Sequence, residues 1–542
     1  MGLKIDGIKL SFLLLVCIAL LAGLEVLSAV VNDVDFANLV LADVAPYILL
    51  FCVVWTLASY TDGKVLEKFI IAAASAALIG ETVIGFFQLA GKLSSGNFYY
   101  HLTGSFRNPG PYGGFIAVLL CLTLPEALKF RRDKSLAHNA LPLLAGLASI
   151  LGIVVLPATF SRTAFAAFVV AALLFIGRLE VVKTFVRRRK WIVVAAAAVL
   201  VVSAVALFNF KKESADGRLH IWKIETLVIA DEPLLGHGPG MSLGAYGDMQ
   251  EDYFRNTRTT QAEIRAAGVP QFAFNEYLRF GMECGVPGLL LSLAVVILAA
   301  ISLHRKNTHL EYALVALGVF AMASYPLSLW QFRLVLVLLL GYAASFGSRS
   351  MAIPATFFSI VSAVLLILSA GTLRSVIDAS QYSKSAKLGI ALGMNRYNSD
   401  SLATRLPFLK NNVGFLYDYA TILRREGRFE ESAAMALRGA CISPDPVFNT
   451  LAGQNYASLE RYQEAEKQFA IAYFKVPCRI NPLFKMMELR LSVGDDKGAL
   501  EFAERIAGMP VNRKVRSMVT MKSRAIEVRD SLVSAMNNQG SE

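Results

Sequence analysis

The sequence predicts an all-α fold: a polytopic transmembrane helical bundle of about eleven spans, with a large outer loop and a C-terminal helical repeat domain. Three observations lead there. Hydrophobic residues make up 55% of the 542 residues and charged residues only 17%, against roughly 25% charged in an ordinary soluble domain. The apolar residues fall in runs of about 20, the length that crosses a hydrocarbon core of ~30 Å. After Leu373 the composition turns charged and repetitive.

The spans are expected at 10–31, 45–60, 68–91, 112–128, 139–157, 163–178, 191–208, 272–302, 311–325, 332–347 and 352–372. The first run follows Lys4 and Lys9 but is long for a signal peptide and lacks a small-x-small exit, so it reads as a span. The net charge of +12 does not indicate nucleic acid, because the cations cluster in short loops between spans. Lys129, Arg131, Arg132 and Lys134 follow the fourth span, Arg178 to Lys190 the sixth, and Arg305 with Lys306 the eighth. All fall on one side with the N-terminus, and the positive-inside rule makes that side cytoplasmic. An odd number of spans leaves the C-terminus outside.

Two parts face outward in this topology. The loop from 209 to 271 is polar, rich in Gly and Pro, and carries a helical stretch around Arg218 to Ile229; a loop of that length is uncommon without a function. The tail, 373–542, contains three alignable units. Gly427-Arg428-Phe429, Glu460-Arg461-Tyr462 and Gly494-Asp495-Asp496 occupy equivalent places, and Pro444, Pro477 and Pro510 close the units at equal intervals. Helical hairpins with this pattern resemble the tetratricopeptide repeat, whose arrays hold a partner segment; a plain helical spacer is the alternative.

Polar residues gather at the outer ends of spans. The third-to-fourth connection runs from His101 through Arg107 and Asn108 to Gly114, and the fifth-to-sixth carries Ser161-Arg162-Thr163. The long loop carries Arg218, Trp222 and the run Pro233 to Gly240 with His237 inside it. The eighth span opens with Asn275-Glu276 and continues through Arg279, Glu283, Gly285 and Gly288; the tenth opens with Gln331-Phe332-Arg333. Arginine beside an apolar span is costly unless it snorkels, pairs or binds an anion. Arg162, Arg218 and Arg333 together suit a pyrophosphate, whose oxygens accept the forked guanidinium donors in pairs. Arg279 and Glu283, four apart on one helix, suit an internal ion pair.

Taken together, the 104–114 turn, Ser161-Arg162, Arg218 with Trp222, the run 233–240, and Asn275-Glu276 before Glu283-x-Gly285-x-x-Gly288 resemble the O-antigen ligase and polymerase superfamily. The resemblance spans roughly residues 80–350. It implies metal-free transfer of a glycan from undecaprenyl diphosphate to an acceptor at the periplasmic face of a bacterial inner membrane, with no cofactor. The domains are then a transmembrane glycosyltransferase-like part, 1–372, with the periplasmic loop 209–271, and a periplasmic repeat domain, 373–542. Lipid A core, the growing polysaccharide and a periplasmic protein are all open as acceptors. The superfamily has polymerases and protein O-oligosaccharyltransferases beside ligases, and a lipid-linked glycan transporter is the reading of another class.

Arg162 and Arg218 are expected to hold the diphosphate, with Arg107, Asn108, His237, Asn275 and Arg333 binding substrate. One departure matters: where the superfamily has a histidine before the asparagine of the eighth span, this chain has Phe274. A phenyl ring accepts no proton, so Glu276 and His101 are the expected bases, ahead of His237. No Cys or His spacing resembles a metal site. Cys441 and Cys478, in the tail, are expected either as a disulfide or as buried thiols.

Overall fold

The computed structural model describes residues 7–34, 44–60, 62–179, 182, 184, 212–345, 374–389, 398–511 and 515–539. They are helical, with no strand among them. Two compact units emerge. The first comprises Met1–Ala215, Pro233–Gly236 and Phe272–Leu373; the second comprises Asp216–Glu232, His237–Gln271 and Arg374–Glu542. Most of the long loop therefore packs with the tail and does not form a domain of its own.

The first unit holds α1 (Gly7–Val31), α2 (Ala45–Tyr60), α3 (Gly63–Leu89), α4 (Pro109–Ala127), α5 (Leu136–Ala158) and α6 (Arg162–Gly177). After the loop come α10 (Glu276–Arg305), α11 (Leu310–Ala321) and α12 (Trp330–Ala344). Among the described residues α1, α3, α4, α5 and α10 are long and apolar enough to cross a membrane; α2, α6, α11 and α12 are shorter apolar helices. These nine match nine of the expected spans, while 191–208 and 352–372 lie outside the described residues. The protein is an integral membrane protein.

Contacts at the two ends show that successive helices alternate in direction. At one end, Ser11 from the start of α1 donates to Ser345 O (3.1 Å), and Trp55 near the end of α2 donates to Ala344 O (3.0 Å). There Lys306 Nζ collects the carbonyls of Tyr342, Ala343 and Ser345, Thr308 reaches Glu67, and Arg178 pairs with Glu311. These are carbonyls at the C-terminus of α12, the place where a cation best meets the helix dipole. The other end gathers the starts of α4, α6, α10 and α12.

Four-residue spacing of small and apolar residues makes the second unit a tandem of helical hairpins. They are α13 (Val413–Arg425) with α14 (Phe429–Ile442), α15 (Val447–Ser458) with α16 (Tyr462–Lys475), and α17 (Ile480–Ser492) with α18 (Asp496–Gly508); α19 (Arg516–Gln539) covers the last. At each hairpin turn one residue is left-handed: Gly427 (φ 78°), Glu460 (φ 59°) and Gly494 (φ 75°). The next amide then bonds back to the preceding helix, Arg428 N to Leu423 O, Arg461 N to Tyr456 O and Asp495 N to Arg490 O, each at 2.9 Å. Identical closure in all three explains why the units align in sequence.

The loop contributes α7 (Lys212–Asp231, in this unit from Asp216), α8 (Ser242–Asn256) and α9 (Gln261–Ala266). The helix around Arg218 is thus longer than the expected 218–229. Ile224, Tyr246, Tyr253, Phe254 and Ala267 form a small core, with Phe474 of α16 against it. Lys223 Nζ donates to Tyr253 Oη (2.6 Å) and Glu263 Oε1 (2.8 Å), and these bonds with the Thr260 amide hold the Glu263 carboxyl well below the usual carboxylate range. Burial pushes the His220 imidazole down.

Helix α8 lies directly on the hairpins. A Cβ at Gly244 would run into the Cys441 carbonyl, and one at Gly247 would sit 2.7 Å from Pro444 Cα. Gln250 Nε2 donates to Lys475 O (2.5 Å), and the wholly buried Lys475 side chain reaches Asp248 at 2.9 Å. Cys441 and Cys478, expected as a disulfide or as buried thiols, are free and exposed. The prediction that follows separates packing from helix propensity. Alanine at 244 favours a helix by about 1 kcal/mol over glycine, yet Gly244→Ala is expected to lower the melting temperature and to speed tryptic cleavage after Arg255. Unchanged protease resistance would show that the loop does not depend on this approach.

Candidate active site

The site is built at the end of the first unit where the starts of α4, α6, α10 and α12 gather, beginning with a break in α10. Cys284 (φ −133°, ψ 17°) and Gly285 (φ 67°, ψ −172°) leave helical geometry, and Pro287, which has no N–H, follows at once. The combination at Gly285 is open essentially only to glycine. A break inside a membrane leaves amides and carbonyls without partners, which hydrocarbon does not tolerate. The tetrapeptide Pro233–Gly236 supplies them. Val286 N donates to Pro233 O (2.8 Å), and a Cβ on Gly285 would lie 2.5 Å from that same oxygen. Gly236 (φ 63°) packs equally close against the Glu283–Cys284 peptide. From α1, Ser28 Oγ bonds both Leu235 O and Glu283 O at 2.7 Å, and Asn32 Nδ2 bonds Gly236 O at 3.0 Å.

Above the break, Asn275 caps α10 by accepting from Tyr277 N (3.0 Å) and Leu278 N (3.2 Å). Glu276 is buried, and both its oxygens are engaged: Oε2 by Arg279 Nε (2.7 Å) and Oε1 by Leu327 N (2.6 Å). Arg279 also reaches Glu283 Oε2 at 3.1 Å, the internal ion pair that the spacing suggested. Arg333 Nε donates to Leu327 O, so Glu276 and Arg333 grip the two faces of one peptide segment. Glu276, expected to reach an acceptor hydroxyl, thus has both carboxylate oxygens engaged within the protein. Phe274 packs edge-on against Tyr325, 5.5 Å between ring centroids.

The 101–114 connection joins this group. Gln88 on α3 accepts from Thr103 N and Gly104 N and donates to Gly104 O, and Glu81 accepts from Ser105 N (3.0 Å). Those anchors shape the turn so that Asn108 caps α4, accepting from Gly110 N at 2.9 Å. Ser161, capping α6, donates to Gly110 O (3.3 Å), which sets Arg162 beside the turn on the first residue of α6. Phe332 packs at a tilt against Phe106 (6.0 Å) and edge-on against Phe115 (5.3 Å), bringing Gln331 and Arg333 to the same place. Arg107 and His101 are exposed there, and Arg162 and Arg333 are half-buried. Four helix starts, those of α4, α6, α10 and α12, point their positive dipole ends into this region.

Of the nine residues expected from sequence, His101, Arg107, Asn108, Arg162, Asn275, Glu276 and Arg333 fall in this unit. Arg218 and His237 belong to the second unit, where His237 Nε2 lies 3.5 Å from Asp231. Sequence reasoning missed Ser28, Asn32, Glu81 and Gln88. Their signal was a polar residue interrupting an apolar run. No group of metal ligands occurs among the described residues.

A polytopic helical membrane protein with a polar, arginine-bearing end is the class that the fold and site define. Residues 147–293 match the O-antigen ligase family model, so this part of the chain is similar to the O-antigen ligase superfamily, whose members are membrane glycosyltransferase-like enzymes. No curated protein matches the chain. The matched stretch contains Arg162, Arg218, the tetrapeptide 233–236, Asn275, Glu276 and the break at Gly285.

The break yields a direct test. Gly285→Ala forces a strained conformation worth about 1–3 kcal/mol and a clash with Pro233 O. We expect purified Gly285→Ala to melt several degrees lower in detergent and to lose activity with it. A variant as stable as wild type would remove the break from the account of the site.

Proposed function

We propose that the protein transfers a glycan from undecaprenyl diphosphate to an acceptor hydroxyl at the outer face of a bacterial inner membrane. The observation that carries the proposal is the convergence of Arg162, Arg333 and four helix N-termini at one end of the bundle. In the reaction the acceptor oxygen attacks the anomeric carbon, the bond from that carbon to the diphosphate oxygen breaks, and the acceptor proton passes to a base. Charge builds on the departing diphosphate, and guanidinium groups with helix dipoles stabilise it most there. Exposed His101 is the base we favour, since both carboxylate oxygens of Glu276 are committed to Arg279 and Leu327.

The described residues support a ligase with a separate acceptor over a polymerase through one feature: tandem tetratricopeptide-like hairpins, an architecture that presents a surface to a partner. In this reading the N-terminus is cytoplasmic and the second unit periplasmic.

Transfer is measured with purified protein, a defined undecaprenyl-diphosphate glycan, and lipid A core or periplasmic protein as acceptor. Arg162→Ala is expected to lower turnover by about 10²–10³ while the protein stays folded; normal turnover in Arg162→Ala would sink the diphosphate clamp. Glu276→Gln is expected to lower the melting temperature more than turnover in the surviving fraction, whereas lost turnover at full stability returns the base role to Glu276. For orientation, alkaline phosphatase fused after Arg374 should be active, and an inactive fusion would reverse the topology.

A further inference from the structure

The second unit contains a cleft of about 590 Å³ between the loop and the first hairpins, within the roughly 300–1,000 Å³ that ligand pockets occupy. Leu243 and Pro270 form the loop wall; Tyr417, Phe448, Asp445 and Arg479 form the hairpin wall. Two chemistries meet in it. The Tyr417 ring is 37% exposed and is braced from behind by the buried Phe448, edge to face at 6.0 Å. Beside it, Arg479 Nη1 meets Asp445 Oδ1 at 2.9 Å, with the two side chains 42% and 34% exposed. The carboxylate is fixed further by Val447 N (3.1 Å), and the Asp445 amide donates to Ser443 Oγ (3.2 Å).

A rigid aromatic face next to a fixed pair of one donor-only and one acceptor-only group suits one ligand chemistry. A sugar ring has an apolar C–H face and a rim of hydroxyls that both donate and accept. The Arg479–Asp445 pair carries no net charge, so it does not select an anion such as a diphosphate. Its groups are already ordered, which spares a ligand the entropy of ordering them.

We propose that this cleft is a saccharide-binding subsite, in which a sugar of the transferred glycan stacks on Tyr417 and hydrogen-bonds Asp445 and Arg479. The proposal rests on the glycan-transfer reading above and adds a second point of sugar recognition outside the membrane unit.

The test uses full-length protein in nanodiscs and, as probe, the oligosaccharide released by mild acid from the lipid-linked glycan of the native cells. Titration calorimetry should show binding to wild type and to Tyr417→Phe, which keeps the aromatic face. Tyr417→Ala and Asp445→Ala, checked for an unchanged melting temperature, should each bind about tenfold more weakly. Arg162→Ala should bind the oligosaccharide as wild type does while losing transfer. No binding to wild type, or equal binding to Tyr417→Ala, overturns the subsite. Tyr417-dependent binding of an apolar peptide in place of the oligosaccharide overturns it in favour of a peptide groove. Tyr417-dependent sugar binding by a protein that transfers nothing would keep the subsite and sink the transfer reading, so the two failures are distinguishable.

Discussion

The break in α10 is the constraint from which the arrangement of the membrane unit follows. Hydrocarbon offers no hydrogen bonds, so a helix interrupted within it must find replacements in the protein. Here the replacements come from two distant parts of the chain. Pro233 O takes the Val286 amide, and Ser28 of α1 donates to the Glu283 carbonyl. Each replacement fixes an element: α1 is held against α10, and 233–236 is held in the gap. The first part of α10, with Asn275, Glu276 and Arg279, is thereby oriented separately from the remainder. Glu276 then passes that orientation through Leu327 to Arg333.

Burying two carboxylates around one guanidinium is expensive unless hydrogen bonds satisfy what the charges leave over. Glu276 meets that condition with a backbone amide as well as Arg279. Under the proposed function the group is a scaffold that positions the helix starts, with the exposed residues of the 101–114 turn and Arg162 left to meet substrate. The division is economical in chemistry. In that proposal buried charges hold geometry, and half-buried or exposed ones face the ligand.

Much of the membrane unit was legible because a hydrocarbon slab imposes a length and an apolarity that each span must satisfy alone. Arg279 with Glu283 was legible for the same local reason, a spacing of four on one helix. The run 233–240 and the glycines after Glu283 were both visible as motifs, but their mutual docking was not. No periodicity links two segments that far apart. Ser28 and Asn32 gave only a weak signal for a related reason, since a hydroxyl or amide near the end of a span has many ordinary explanations. The tail announced its hairpins through repeated turn residues, including Glu460, which takes the left-handed conformation that its two counterparts adopt as glycine. The seat of α8 on those hairpins had no signal beyond Gly244 and Gly247, whose meaning depends on a surface supplied 200 residues later.

That last separation has a consequence for how the protein is made. The loop is synthesised well before Arg374, yet its partners Cys441, Pro444 and Lys475 are among the last residues to emerge. Until they do, the face of α8 bearing Gly244, Gly247 and Gln250 has nothing to cover it, and the remaining spans must be inserted while it waits. A chain stopped at residue 373 would hence be no membrane enzyme lacking an accessory module. It would carry a half-finished second unit, vulnerable to proteases and to chance partners, and its behaviour would report on an orphaned loop as much as on a missing tail.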